Sequence, residues 1–129
     1  MTRTVMIVDD SLIMVQKLSA MMRDLGHQVV RTCKNGAEAI HDYTLVKPDV
    51  VTMDITMPEM DGIEAMQGIL KQDPEARIIM VTSHGQEAMV LKALDAGAAG
   101  YVLKPVVKEK LAAMIERAMA RTPKQPHLV

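Results

Sequence analysis

The chain has 129 residues and a formal net charge of −1, with 15 basic and 16 acidic side chains interspersed along it. That length holds one domain with a real hydrophobic core, and the balanced charge leaves no basic stripe to track a phosphate backbone, so nucleic acid is excluded as the default partner. No apolar run approaches the ~20 residues of a bilayer span, the single Cys33 cannot close an internal disulfide, and no leader-like segment precedes the first strand, so a soluble cytoplasmic protein without membrane contact is expected.

Short β-branched runs alternate with amphipathic helical patterns. Five strands are predicted: TVMIV (4–8), QVVRT (28–32), DVVTM (49–53), RIIMVT (77–82) and AGYVL (99–103). The first, third and fourth are almost continuously apolar, as central parallel strands covered on both faces are. In the first helix Met14, Leu18, Met21 and Leu25 share a face with Val15 and Met22 beside them, and Gly26 ends it. Asn35 opens the second helix, which stops before Pro48, and Asp61 caps the third. The fourth covers 86–96, and Val107, Leu111, Met114, Ile115 and Ala118 form a stripe on the fifth. With no Phe or Trp and thirteen Met, the core is filled by aliphatic and thioether groups.

Five such βα units predict an α/β fold, a doubly wound five-stranded parallel sheet in the order 2-1-3-4-5, flavodoxin-like. One domain is expected over 1–120, and the tail RTPKQPHLV (121–129), with two prolines and no periodicity, is expected to be disordered.

In open parallel sheets ligands bind beyond the carboxyl ends of the strands. Those ends carry Asp9 and Asp10, Asp54, Thr82 and Ser83, and Lys104. Adjacent carboxylates about 4 Å apart repel by about 4 kcal/mol at the effective dielectric near a protein surface, so a positive charge is needed among them. Mg²⁺ meets that need, because it takes oxygen ligands and keeps open positions for a phosphoryl group. Asp54 is then the natural nucleophile, Lys104 a second cation for phosphoryl oxygens, and Thr82 a hydroxyl donor. Each residue alone has a plainer reading: Asp10 or Ser11 as a helix cap, Asp54 as a loop acid, Thr82 as a strand end, Lys104 as a surface lysine. Their coincidence on successive strand ends favours the functional one. His27, His41 and His127 lack metal-ligand spacing and are expected at the surface.

The elements VDD (8–10), MDITMPEMDG (53–62), VTS (81–83) and GYVLKP (100–105), in this order and spacing, resemble the receiver domains of response regulators, in particular the single-domain members that serve chemotaxis. The resemblance runs over 4–119. It implies that Asp54 accepts a phosphoryl group from a histidine kinase or a small donor such as acetyl phosphate. It also implies that Asp10, Asp54 and the backbone carbonyl of Thr56 hold Mg²⁺ while Asp9 acts through water. Lys104 would pair with the phosphoryl group, Thr82 would move toward it as Tyr101 turns inward, and the peptide before Pro105 would be cis. Thr56 and His84 occupy positions where such domains tune the acyl-phosphate lifetime.

The function expected is therefore a phosphorylation-driven switch of a two-component system, not an enzyme beyond its own phosphoryl transfer and dephosphorylation. It is expected as a monomer or weak dimer whose output is protein binding, with chemotaxis favoured. A phosphorelay member or a receiver detached from a transcriptional regulator is the alternative. A Mg²⁺-dependent aspartate-nucleophile phosphatase of the haloacid-dehalogenase type is the alternative of another class. Its nucleophile follows the first strand and it needs a cap, whereas here the nucleophile follows the third and the loops are short. A flavin binder is excluded by the acidic DDSL turn after the first strand. The downstream target is expected on the face of the fourth helix, fifth strand and fifth helix. Ala88, Leu91 and Leu94, at spacing three, are read as the buried stripe of the fourth helix, turning Met89 and part of Val90 outward to join Tyr101 and Met114 in an apolar patch. Met114 carries two expectations, since the helical stripe of the fifth helix places it in the core.

Overall fold

The computed structural model describes residues 2–120, so the expectation for the tail at 121–129 lies outside the described residues. The elements are β1 (Thr4–Val8), α1 (Leu12–Asp24), β2 (Gln28–Cys33), α2 (Gly36–Val46), β3 (Val50–Asp54), α3 (Gly62–Gln72), β4 (Ile78–Thr82), α4 (Glu87–Asp95), β5 (Gly100–Leu103) and α5 (Lys108–Ala120). All neighbouring strands pair in parallel, in the order β2-β1-β3-β4-β5.

Period two in the strands splits the core. Val5, Ile7, Ile79, Val81 and Val102 face α1 and α5 with Leu18, Met22, Leu111 and Ile115. Met6, Val8, Val51, Met53, Ile78 and Met80 face α2, α3 and α4 with Ile63, Met66, Ile69 and Ala93. Every residue of β3 and β4 is buried, which is why these strands read as continuous apolar runs. Burying an aliphatic side chain is worth about 1.5–3 kcal/mol, so these two faces hold the sheet and its rim in place.

Side chains start three helices. Ser11 accepts from Met14 N, Asn35 from Glu38 N, and Asp61 forms a capping box with Glu64. β3 begins one residue later than predicted because its pairing with β1 starts at Val50, opposite Val5, and Asp54 becomes its last residue.

The expectations for α4 and for His27 are overturned. On α4 the buried residues are Val90 and Ala93, with Met89 and Leu94 packed beside them, while Ala88 is exposed and Leu91 is 64% exposed. A strict spacing of three drifts around a helix of 3.6 residues per turn, whereas 89, 90, 93 and 94 stay on one stripe. His27 is buried, not at the surface: its N–H donates to Met22 O just past the helix end, and its Nδ1 accepts from Arg3 N. Met114 lies with the core, its sulfur against Gly100 so closely that a Cβ there would overlap it.

Candidate functional site

The strand ends carry the chemistry to one rim. Asp9 follows β1 and stays in the ladder, donating its N–H to Cys33 O. Its side chain is 1% exposed, and its Oδ1 accepts from Ser11 N. Asp10, next in the chain, is exposed. Asp54 ends β3, 5% exposed. Lys104 is drawn alongside because its N–H donates to Thr82 O at 2.7 Å, continuing the β4–β5 ladder, and the Lys104–Pro105 peptide is cis. The Lys104 ammonium lies 3.5 Å from Asp54 Oδ1 and 3.7 Å from Asp9 Oδ2.

Carboxylate oxygens of Asp9, Asp10 and Asp54 lie within 4.8 Å of one another. Burial pushes the Asp54 carboxyl up to about 6, the negative charge of Asp9 adds to this, and the Lys104 charge and the Thr56 N–H oppose it. Asp9 Oδ2 is buried with no hydrogen-bond partner. A buried, unsatisfied carboxylate oxygen within a cluster of hard oxygen donors suits a small divalent cation such as Mg²⁺. One ammonium facing three carboxylates leaves room for a second positive charge.

Thr82 is buried at the end of β4, and its hydroxyl points to a residue that sequence reasoning passed over. Gln86 Oε1 accepts from Thr82 Oγ1 at 2.6 Å and from Ser83 N at 2.8 Å, while Gln86 Nε2 donates to Thr56 Oγ1 at 2.6 Å. The available signal was weak. Glutamine at the N-cap of a helix is not among the preferred capping residues, which leaves its amide free to bond elsewhere.

Farther along the same edge, His84 is exposed and Tyr101 is 40% exposed. The expected patch of Met89, Val90, Tyr101 and Met114 does not form as one exposed surface. Val90 is only 8% exposed, and Met89 and Met114 pack against opposite cores. In its place a groove of about 310 Å³ runs between α4 and β5, with Val90 at its floor beside Leu91, Leu94, Tyr101 and Leu103. Period two on β5 turns Tyr101 and Leu103 away from Val102, as the strand pattern requires.

Residues 5–116 match the family described as response regulator receiver domain. The chain is 47% identical over 105 residues to the chemotaxis protein CheY of Thermotoga maritima, covering 81% of this chain and 88% of that protein. It is 40% identical over 119 residues to chemotaxis protein CheY of Bacillus subtilis, covering 92% of this chain and 99% of that one. Among solved structures, a CheX-CheY-BeF₃-Mg²⁺ complex from Borrelia burgdorferi superposes with a TM-score of 0.82 at 36% identity, over 91% of this chain and 87% of the other. Matches of this extent, together with the sheet order, place the chain in the response regulator receiver family, as a phosphorylation-activated switch of two-component signalling.

Proposed function

We propose that Asp54 is the phosphoryl acceptor and that the switch serves chemotaxis. The observation that carries the assignment is the position of Asp54: buried at the end of β3, beside two carboxylates, with the Lys104 ammonium 3.5 Å from its Oδ1. A carboxylate oxygen of Asp54 attacks the phosphorus of a phosphohistidine on a histidine kinase, an O–P bond forms, the N–P bond breaks, and the imidazole leaves with the electron pair and takes up a proton. Acetyl phosphate serves in the same way, with acetate as the leaving group.

Asp10, Asp54 and the Thr56 carbonyl would hold Mg²⁺, with Asp9 acting through water. When bound, this ion supplies positive charge to the reacting oxygens. Lys104 holds the phosphoryl oxygens by a charge-assisted hydrogen bond, and Thr82 donates its hydroxyl to one of them. Tyr101 turns inward as Thr82 moves, and the side chains of Thr56 and His84 set how fast water reaches the acyl phosphate. The target protein binds the groove between α4 and β5, with the adjoining side of α5. Support for the chemotaxis reading comes from the 40–47% identity to chemotaxis proteins, and support for Mg²⁺ from the ion named with the Borrelia relative.

The test is mass spectrometry after incubation with acetyl phosphate and Mg²⁺. One phosphoryl group should be added, and EDTA or Asp54→Asn should abolish the addition. Undiminished labelling of the Asn variant would remove Asp54 from the mechanism.

A further inference from the structure

We propose that Gln86 is a latch, a positioning residue that holds the Thr82 hydroxyl in its resting place and opposes switching. The inference rests on the reading of Asp54 as acceptor. A hydroxyl has one proton to donate. In the structure Thr82 donates it to Gln86 Oε1 at 2.6 Å, the other acceptor within reach, Ser83 O, being at 3.5 Å. Thr82 cannot donate to a phosphoryl oxygen on Asp54 until that bond breaks.

The same amide ties two loops together. Its oxygen also takes the Ser83 N–H at the start of the β4–α4 segment, and its nitrogen donates to Thr56 Oγ1, two residues beyond the acceptor. A second observation points the same way. The side chains of Ser11, Asn35 and Asp61 at the starts of α1, α2 and α3 each bond to their own helix, while Gln86 at the start of α4 makes no capping bond and directs its amide to the site. Gln86 thus couples the resting position of Thr82 to the loop that carries Thr56, and releasing it favours the switched state.

Losing the latch shifts the equilibrium by the net value of one neutral hydrogen bond, a factor of about 2 to 10. The experiment is a double-mutant cycle on the full chain, with wild type, Gln86→Met, Thr82→Val and the double variant each titrated with beryllofluoride in saturating Mg²⁺ and followed by the amide resonances of Ser83 and Lys104. Methionine matches the length of glutamine without its hydrogen bonds. Gln86→Met should bind beryllofluoride about 2- to 10-fold more tightly than wild type, and in the Thr82→Val background the same substitution should change affinity less than about 2-fold. Gln86→Glu, which keeps an acceptor for Thr82 and Ser83, should show no tightening. Affinity of Gln86→Met equal to or weaker than wild type overturns the latch. So does an equal gain in both backgrounds, which would locate the effect in α4 itself. A wild type that takes neither beryllofluoride nor a phosphoryl group overturns the acceptor reading and the latch with it, whereas a responsive wild type with no coupling in the cycle overturns the latch alone.

Discussion

Gly62 stands directly beneath Asp54: a Cβ on Gly62 would overlap the Asp54 main-chain carbonyl, and the Gly62 N–H donates to Ile55 O at 2.9 Å. The start of α3 is thereby seated on the end of the strand that carries Asp54. Because the obstructing atoms are backbone, no rotamer change relieves the contact. Gly62→Ala should therefore destabilise the protein by about 1–3 kcal/mol, read from the urea midpoint, and slow acetyl-phosphate labelling as Asp54 is displaced. An unchanged midpoint would mean that α3 can shift freely against β3.

The burial of Asp54, with the Asp9 charge beside it, leads to a pH-dependent stability. Asp54 has its carboxyl pushed up from 3.8 to about 6, so the folded protein holds this proton more tightly than the unfolded chain does. Its contribution to stability is fully present below pH 3.8 and is lost as pH rises through about 6. In metal-free buffer Asp54→Asn should then exceed wild type in stability at pH 8, by an amount on the order of 1–3 kcal/mol, and the gain should vanish near pH 4. Added Mg²⁺ should stabilise wild type more than the Asn variant. Chemical denaturation of both proteins across this range decides it, and a difference independent of pH would remove the ionisation of Asp54 as its cause.

Lys104 reaches Asp54 and Asp9 at 3.5 and 3.7 Å, too long for strong hydrogen bonds. Lys104→Ala should still be labelled at Asp54 by acetyl phosphate. Its response to beryllofluoride, followed at the Tyr101 and Val102 amides, should fall about tenfold or more, the scale of one charge-assisted hydrogen bond. A full response in this variant would show that the ammonium does not read the phosphoryl group.

Leu91 rims the groove between α4 and β5 and is 64% exposed, so Leu91→Lys should leave stability within about 0.5 kcal/mol and Asp54 labelling intact. Affinity for the target that binds the beryllofluoride-loaded wild type should drop, by about 1–2 kcal/mol for the loss of an apolar contact at the rim of a pocket. Tyr101→Ala should act in the same direction. Unchanged affinity in both variants would place the target elsewhere on the molecule.

The sequence by itself determined the five strands in their order, the caps at Asn35 and Asp61, and the convergence of Asp9, Asp10, Asp54, Thr82 and Lys104 at the strand ends, while the structure chose Ser11 over Asp10 as the cap of α1. These follow from local rules. Runs of β-branched residues read as buried strands, a polar residue before an apolar helical face reads as a cap, and a parallel sheet leaves its carboxyl ends on one rim.

Only the tertiary structure decided which face of α4 is buried, where His27 and Met114 lie, and what Gln86 bonds to. The nine residues of α4 carry apolar groups on several sides, so two stripes compete in its pattern, and the choice is made by where the helix lands on β4. Gln86 and Thr56 lie 30 positions apart and meet because β3 and β4 pair in register, bringing the loops that follow them side by side. A hydrogen bond between two such loops has no local periodicity to announce it, since it depends on the distance between groups that only the paired strands bring together.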